Sequence, residues 1–147
     1  MSIHQNFLLQ AVKLAQENKS KGGRPFGALI VKDQEMIASG VNEMIKKCDP
    51  SSHAELEAIR MATKKLGRLT LEGCSVYASG QPCPMCLAAL IMTKIEAVYF
   101  AFDNSDSAPF GFSSDLTYQK LDLHLEEIDL PVYKIDLGLK ASELYQI

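Results

Sequence analysis

His53-Ala54-Glu55 opens one apolar-periodic run of this chain, and Pro82-Cys83-Pro84-Met85-Cys86 opens the next. Each stretch stands where a helix is expected to begin, directly after a polar or bent connection. Together they offer one imidazole, two thiols and a carboxylate that need not bind metal. A structural zinc normally takes four protein ligands, whereas a catalytic zinc takes three and leaves one position for water. The set His53, Cys83 and Cys86 therefore predicts one catalytic Zn2+ per chain, with Glu55 beside it as an acid–base group.

The segments around these stretches supply the frame. Phe7, Leu8, Ala11, Val12, Leu14 and Ala15 recur at helical spacing, which predicts an amphipathic helix over 3–18. The apolar runs 26–31 and 36–41 predict a β-hairpin with a slightly longer loop over 32–35. After a polar connection over 42–50, Ser52 is placed to cap a helix, with Glu55 three residues on as in a capping box. That helix is predicted to run to about 65 and to close at Gly67. Strands are expected at 71–79, 95–102 and 132–136, helices at 83–93, 114–123 and 141–145, and a loop over 103–112. A hairpin followed by alternating helix and strand predicts a three-layer α/β/α fold with a mixed five-stranded sheet. Sites in such sheets form beyond the strand ends, where helices start.

The 147 residues suggest a single domain that buries roughly 68–70% of its unfolded surface. A formal net charge of −3 gives no basic face for nucleic acid. No apolar run approaches the roughly 20 residues that span a bilayer, and no signal-peptide pattern opens the chain, so the expected compartment is the cytoplasm. Four cysteines, two of them in Cys83-Pro84-Met85-Cys86, fit a reducing compartment and a metal site better than a disulfide framework.

Two sulfurs on one helical turn can grip one ion, and a helix N-terminus favours the thiolate. Zinc brings the pKa of a water it holds to about 7. Glu55 can take that proton and pass it to a ring nitrogen and then to a leaving amine. The spacing H-x-E…P-C-x-x-C is the signature of zinc nucleobase deaminases.

The whole pattern resembles the cytidine deaminase-like zinc deaminase superfamily. More narrowly, Pro25-Phe26-Gly27-Ala28-Leu29-Ile30-Val31, Asn42, Ser52-His53-Ala54-Glu55, Ala58-Ile59-Arg60 and Pro82-Cys83-Pro84-Met85-Cys86 look like the bacterial guanine deaminases. That resemblance implies hydrolytic deamination of a small amino-heterocycle, guanine or a related purine or triazine. It also implies substrate contacts from Phe26, Asn42, Ala54, Ser114 and Asp115, and a homodimer that exchanges C-terminal segments. The chain departs from the family at Ser113-Ser114-Asp115, where paired aspartates are usual. It departs again at Met92, where an aromatic is usual, at Gln81, where the family has Glu, and in its short tail.

Other readings leave different traces. A tRNA adenosine deaminase-like enzyme would act on an anticodon stem-loop and not on free bases, and a cytosine or nucleoside deaminase would differ only in its pocket. A non-enzymatic zinc-stabilised interaction module would need a fourth protein ligand. A thioredoxin-like protein would cycle a disulfide between Cys83 and Cys86.

Overall fold

The computed structural model of the protein describes residues 2–147. Helix α1 (Ile3–Ser20) begins with a reciprocal cap: Gln5 N–H donates to Ser2 Oγ, and Ser2 N–H donates to Gln5 Oε1. Its buried stripe of Phe7, Leu8, Ala11, Val12 and Ala15 follows the helical period and makes one layer of the fold.

Strands β1 (Gly27–Lys32) and β2 (Glu35–Val41) pair antiparallel. Their turn is tighter than the sequence suggests. Only Asp33 and Gln34 lie between the strands, both at positive φ (50° and 62°), the turn geometry that matches the strands' own twist. β1 also pairs antiparallel with β3 (Cys74–Gly80), and β4 (Ala97–Phe102) and β5 (Val132–Lys134) extend the sheet in parallel. The order is β2-β1-β3-β4-β5, the mixed five-stranded sheet expected.

Alternation along the strands sorts the layers. Ala28, Ile30, Val76, Ala78, Val98 and Phe100 pack against α3 (Ala54–Leu66) and α4 (Pro84–Met92), through Ala58, Ala62 and Leu90 among others. Leu29, Val31 and Tyr77 face α1 on the other side. Gly40 sets how closely α3 rests on β2: a Cβ there would fall 2.5 Å from Ala54 O and 2.6 Å from Ala58 N. The absence of that carbon lets the first turn of α3 sit on the strand backbone, which fixes where His53 and Glu55 emerge.

Some boundaries differ from expectation for local reasons. A single helical turn, α2 (Met44–Lys47), interrupts the polar connection. The segment expected as loop over 103–112 holds α5 (Asn104–Ser107) and a 3-10 turn at Ala108–Phe110. There Asp103 and Asp106 accept each other's backbone N–H at 2.9 Å. β3 starts at Cys74, because Leu71–Gly73 turns with Gly73 at φ 81°. α6 is confined to Asp115–Lys120. α7 (Ala141–Tyr145) returns to bury Leu144 and Tyr145 against Val12, Ala15 and Phe102. Among the described residues no helix is long and apolar enough to cross a membrane.

Candidate active site

The first residues of α3 and α4 converge at one end of the sheet. His53 and Cys83 are the N-caps of the two helices, both with extended backbone, and Pro84 pre-sets the first turn behind Cys83. Neither uses its side chain to cap. Instead Cys83 Sγ and Cys86 Sγ each lie 3.5 Å from His53 Nδ1, and all three donor atoms are within 4.8 Å of one another. Zinc bonds of about 2.3 Å to sulfur and about 2.0–2.1 Å to nitrogen give a tetrahedral S···N edge of roughly 3.5–3.6 Å. The three side chains therefore fit a zinc ion as they stand.

The cap expected at Ser52 is not made. Ser52 O–H donates to Glu57 Oε1 at 2.9 Å, because His53 already occupies the capping position. Glu57 also accepts from Lys47 and Arg60, so it locks the start of α3 to the preceding connection. Glu55 is left free of capping and turns inward, 6% exposed. Burial, with the adjacent Cys83 charge adding to it, pushes its carboxyl up to about 7. That value suits a group that must both take and return a proton near neutral pH. The Cys83 thiol is held well below its usual range by hydrogen bonding from Cys86 and then from His53. Cys86 moves up, since the pair holds one thiolate between them, and the hydrogen bond to Cys83 raises His53.

A cavity of about 360 Å³ opens over this cluster, and Phe26, Asn42, Ala54 and Ser114 all line it. Phe26 meets Phe112 edge-on at 5.7 Å, with Tyr145 packed beside both rings. Asn42 Oδ1 accepts from Met44 N–H at 3.0 Å, which fixes the amide so that Nδ2 is the donating end, set against Met44 Sδ at 3.3 Å. Ser114 is held by Asn104, whose Oδ1 accepts from both its N–H and its hydroxyl. Asp115, expected as a substrate contact, stays outside the cavity: it is exposed and accepts from Gln119 at 2.6 Å, one turn along α6. Met92 is likewise off the cavity, 80% exposed at the end of α4. Gln81 does line it, with Oε1 engaged by Asn104 N–H at 3.1 Å.

The zinc-binding region of cytidine and deoxycytidylate deaminases matches residues 1–102, a span that carries His53, Glu55, Cys83 and Cys86. The chain belongs to that family. Its chemistry is zinc-dependent deamination. The deaminase is 44% identical over 135 residues to a guanine deaminase of Bacillus subtilis, covering 91% of this chain and 86% of that protein. It is 36% identical over 146 residues to a tRNA-specific adenosine deaminase of the same organism, covering 99% and 91%. The crystal structure of the Bacillus subtilis guanine deaminase superposes with a TM-score of 0.79 at 43% identity, over 93% of this chain and 87% of that one.

Several residues that organise the deaminase's site carry no local sequence signal. Tyr118 O–H donates to Pro82 O, a buried bond that holds the turn leading into Cys83. Asn104 ties Gln81 to Ser114 across the cavity wall. Arg24 joins the rim from the turn before β1. All three act over long sequence separations, so only the folded chain brings them to the site.

Proposed function

We propose that this deaminase hydrolyses the exocyclic amine of a small free purine, guanine above others, and releases ammonia. The observation that carries the reading is Glu55, buried beside the His53–Cys83–Cys86 cluster under a cavity of about 360 Å³ that Phe26 and Asn42 also line. When bound by those three side chains, zinc supplies the Lewis acidity that makes water a nucleophile near neutral pH. A Glu55 carboxylate oxygen takes the proton of the attacking water and hands it to the substrate ring nitrogen. It then carries the second proton to the departing amine, so that one water is consumed and one ammonia leaves for each carbonyl formed. Phe26 packs on the base, Ala54 borders it from the first turn of α3, and Asn42 Nδ2 donates to it. The 44% identity to a guanine deaminase supports the choice of base.

The likeness to a tRNA-specific adenosine deaminase gives the second reading. A net charge of −3 disfavours it, since phosphate contacts need clustered cations. An ammonia-release assay over guanine, adenine, cytosine, their nucleosides, aminotriazines and an anticodon stem-loop tests both. Turnover of guanine with none on the stem-loop supports the first reading, and the reverse pattern overturns it.

A homodimer fits the surface. Met85, Ile91 and Met92 leave an exposed apolar stripe on α4, and Met61 of α3 is also exposed. Such stripes mark association surfaces. The C-terminal segment is held by Lys19 Nζ, which donates to Leu144 O at 2.8 Å and to Gln146 O at 3.2 Å, and an exchanged segment would meet the same lysine. Sedimentation equilibrium tests the dimer, and a monomer at micromolar concentration contradicts it. Four free cysteines, Cys48 among them exposed, suit a reducing cytoplasm.

A further inference from the structure

Arg24 stands exposed at the rim of the cavity whose lining includes buried Glu55. Among the described residues it is the only lysine or arginine on that wall, and it takes part in no ion pair. Its backbone, by contrast, is held firmly. Asn18 Nδ2 donates to Arg24 O and to Asn42 O, both at 2.8 Å, and Phe26 N–H donates to Arg24 O at 2.8 Å. Gly23 makes room for this clamp, since a Cβ there would fall 2.6 Å from Asn18 Nδ2. One amide thus binds the two rim segments to each other.

The rim it builds offers donors. Asn42 presents Nδ2, which meets only Met44 Sδ at 3.3 Å, a weak acceptor that an oxo oxygen or ring nitrogen displaces. Arg24 adds a planar fork of N–H groups with no acceptor capacity. A guanidinium fork suits two adjacent acceptors, and its commonest specific use on a base is the O6/N7 edge of guanine. An amine-bearing or protonated ring edge would face donors with donors.

We propose that Arg24, with Asn42 beside it, reads an acceptor edge of the substrate remote from the reacting amine: an oxo oxygen next to an unprotonated ring nitrogen. Arg24 is the specificity-determining residue of this pair. The proposal rests on the purine reading above and narrows it to purines with a free O6/N7 edge.

Hypoxanthine carries that edge without the amine, and 7-deazahypoxanthine lacks its ring-nitrogen acceptor. Calorimetric titration of zinc-loaded wild-type, Arg24→Ala and Arg24→Lys proteins with both ligands tests the proposal. Wild type should prefer hypoxanthine by about tenfold. Arg24→Ala should bring that preference close to parity by weakening hypoxanthine, which offers both acceptors, more than 7-deazahypoxanthine, which keeps only the oxo oxygen. Arg24→Lys should keep only part of it, because an ammonium cannot fork. A merely structural role would weaken both ligands alike. Equal loss for both, no loss for either, or a wild type that binds neither overturns the proposal. Guanine turnover measured alongside separates the two levels: the expected ligand pattern without ammonia from guanine refutes guanine as substrate and leaves the acceptor-edge reading in place.

Discussion

Replacing Glu55 by glutamine should stabilise the zinc-free protein above neutral pH while abolishing its activity. The carboxyl stands at about 7 in the folded chain against 4.5 for the ordinary group, mainly through burial. The folded chain therefore holds this proton more tightly than the unfolded chain does. By linkage, the cost of keeping Glu55 buried is absent below about pH 4.5, grows as pH rises towards 7, and is constant above it. At about 1.4 kcal/mol for each pH unit between the two values, the full cost is about 3.5 kcal/mol. Glutamine keeps the shape and cannot ionise, so it removes that cost. Urea unfolding of chelator-treated wild type and Glu55→Gln at pH 5 and pH 8 measures the difference. The variant should gain about 2–3 kcal/mol over wild type at pH 8 and much less at pH 5. A gap independent of pH, or a variant less stable at pH 8, would show that burial of the Glu55 charge carries no such cost. Zinc should shrink the gap, because a cation beside the carboxylate offsets its burial.

Gly40→Ala should cost roughly 1–3 kcal/mol by forcing α3 off β2, and lower Tm by roughly 3–10 °C in calorimetry. Tyr118→Phe leaves the buried Pro82 carbonyl unpaired, at a cost of roughly 1–3 kcal/mol, and should quicken zinc loss to a chelator. An unchanged release rate would contradict a role for Tyr118 in holding the Cys83 turn. Zinc affinity should fall from pH 7.5 to pH 6, because His53 is raised above 6.5 and its proton competes with the metal. Competition with a zinc indicator across that range checks it, and a flat profile would show that His53 is not a zinc ligand.

The metal centre was legible in the sequence because its chemistry is local. Cys83 and Cys86 share one turn, and His53 and Glu55 another, so ligand count and helix-start signals pointed to the same place. The mixed sheet followed from the hairpin and the alternation after it. The misreadings have physical causes. Ser52 looked like the cap of α3, yet the extended backbone needed to aim the His53 ring makes His53 the capping residue. Pro109 and Gly111 made 103–112 look like loop, while the Asp103–Asp106 cap nucleates a helical turn there. The place of Asp115 could not be read from spacing either: at the start of α6 it is exposed, off the cavity lining, and accepts from Gln119. The rim of the cavity was the least legible part. Asn18, Asn104 and Tyr118 act through bonds between separate segments of the chain, Arg24 reaches the rim only through the fold, and no spacing rule registers either.

In the proposed division of labour Glu55 moves the protons while His53, Cys83 and Cys86 hold the metal. Zinc content and ammonia release measured together on purified Glu55→Gln separate the two roles. The variant should hold close to one zinc per chain and release ammonia at least a thousandfold more slowly than wild type, since a positioned acid–base group and its role in both transfers are removed. Ammonia release within a few-fold of wild type, with zinc retained, would contradict it.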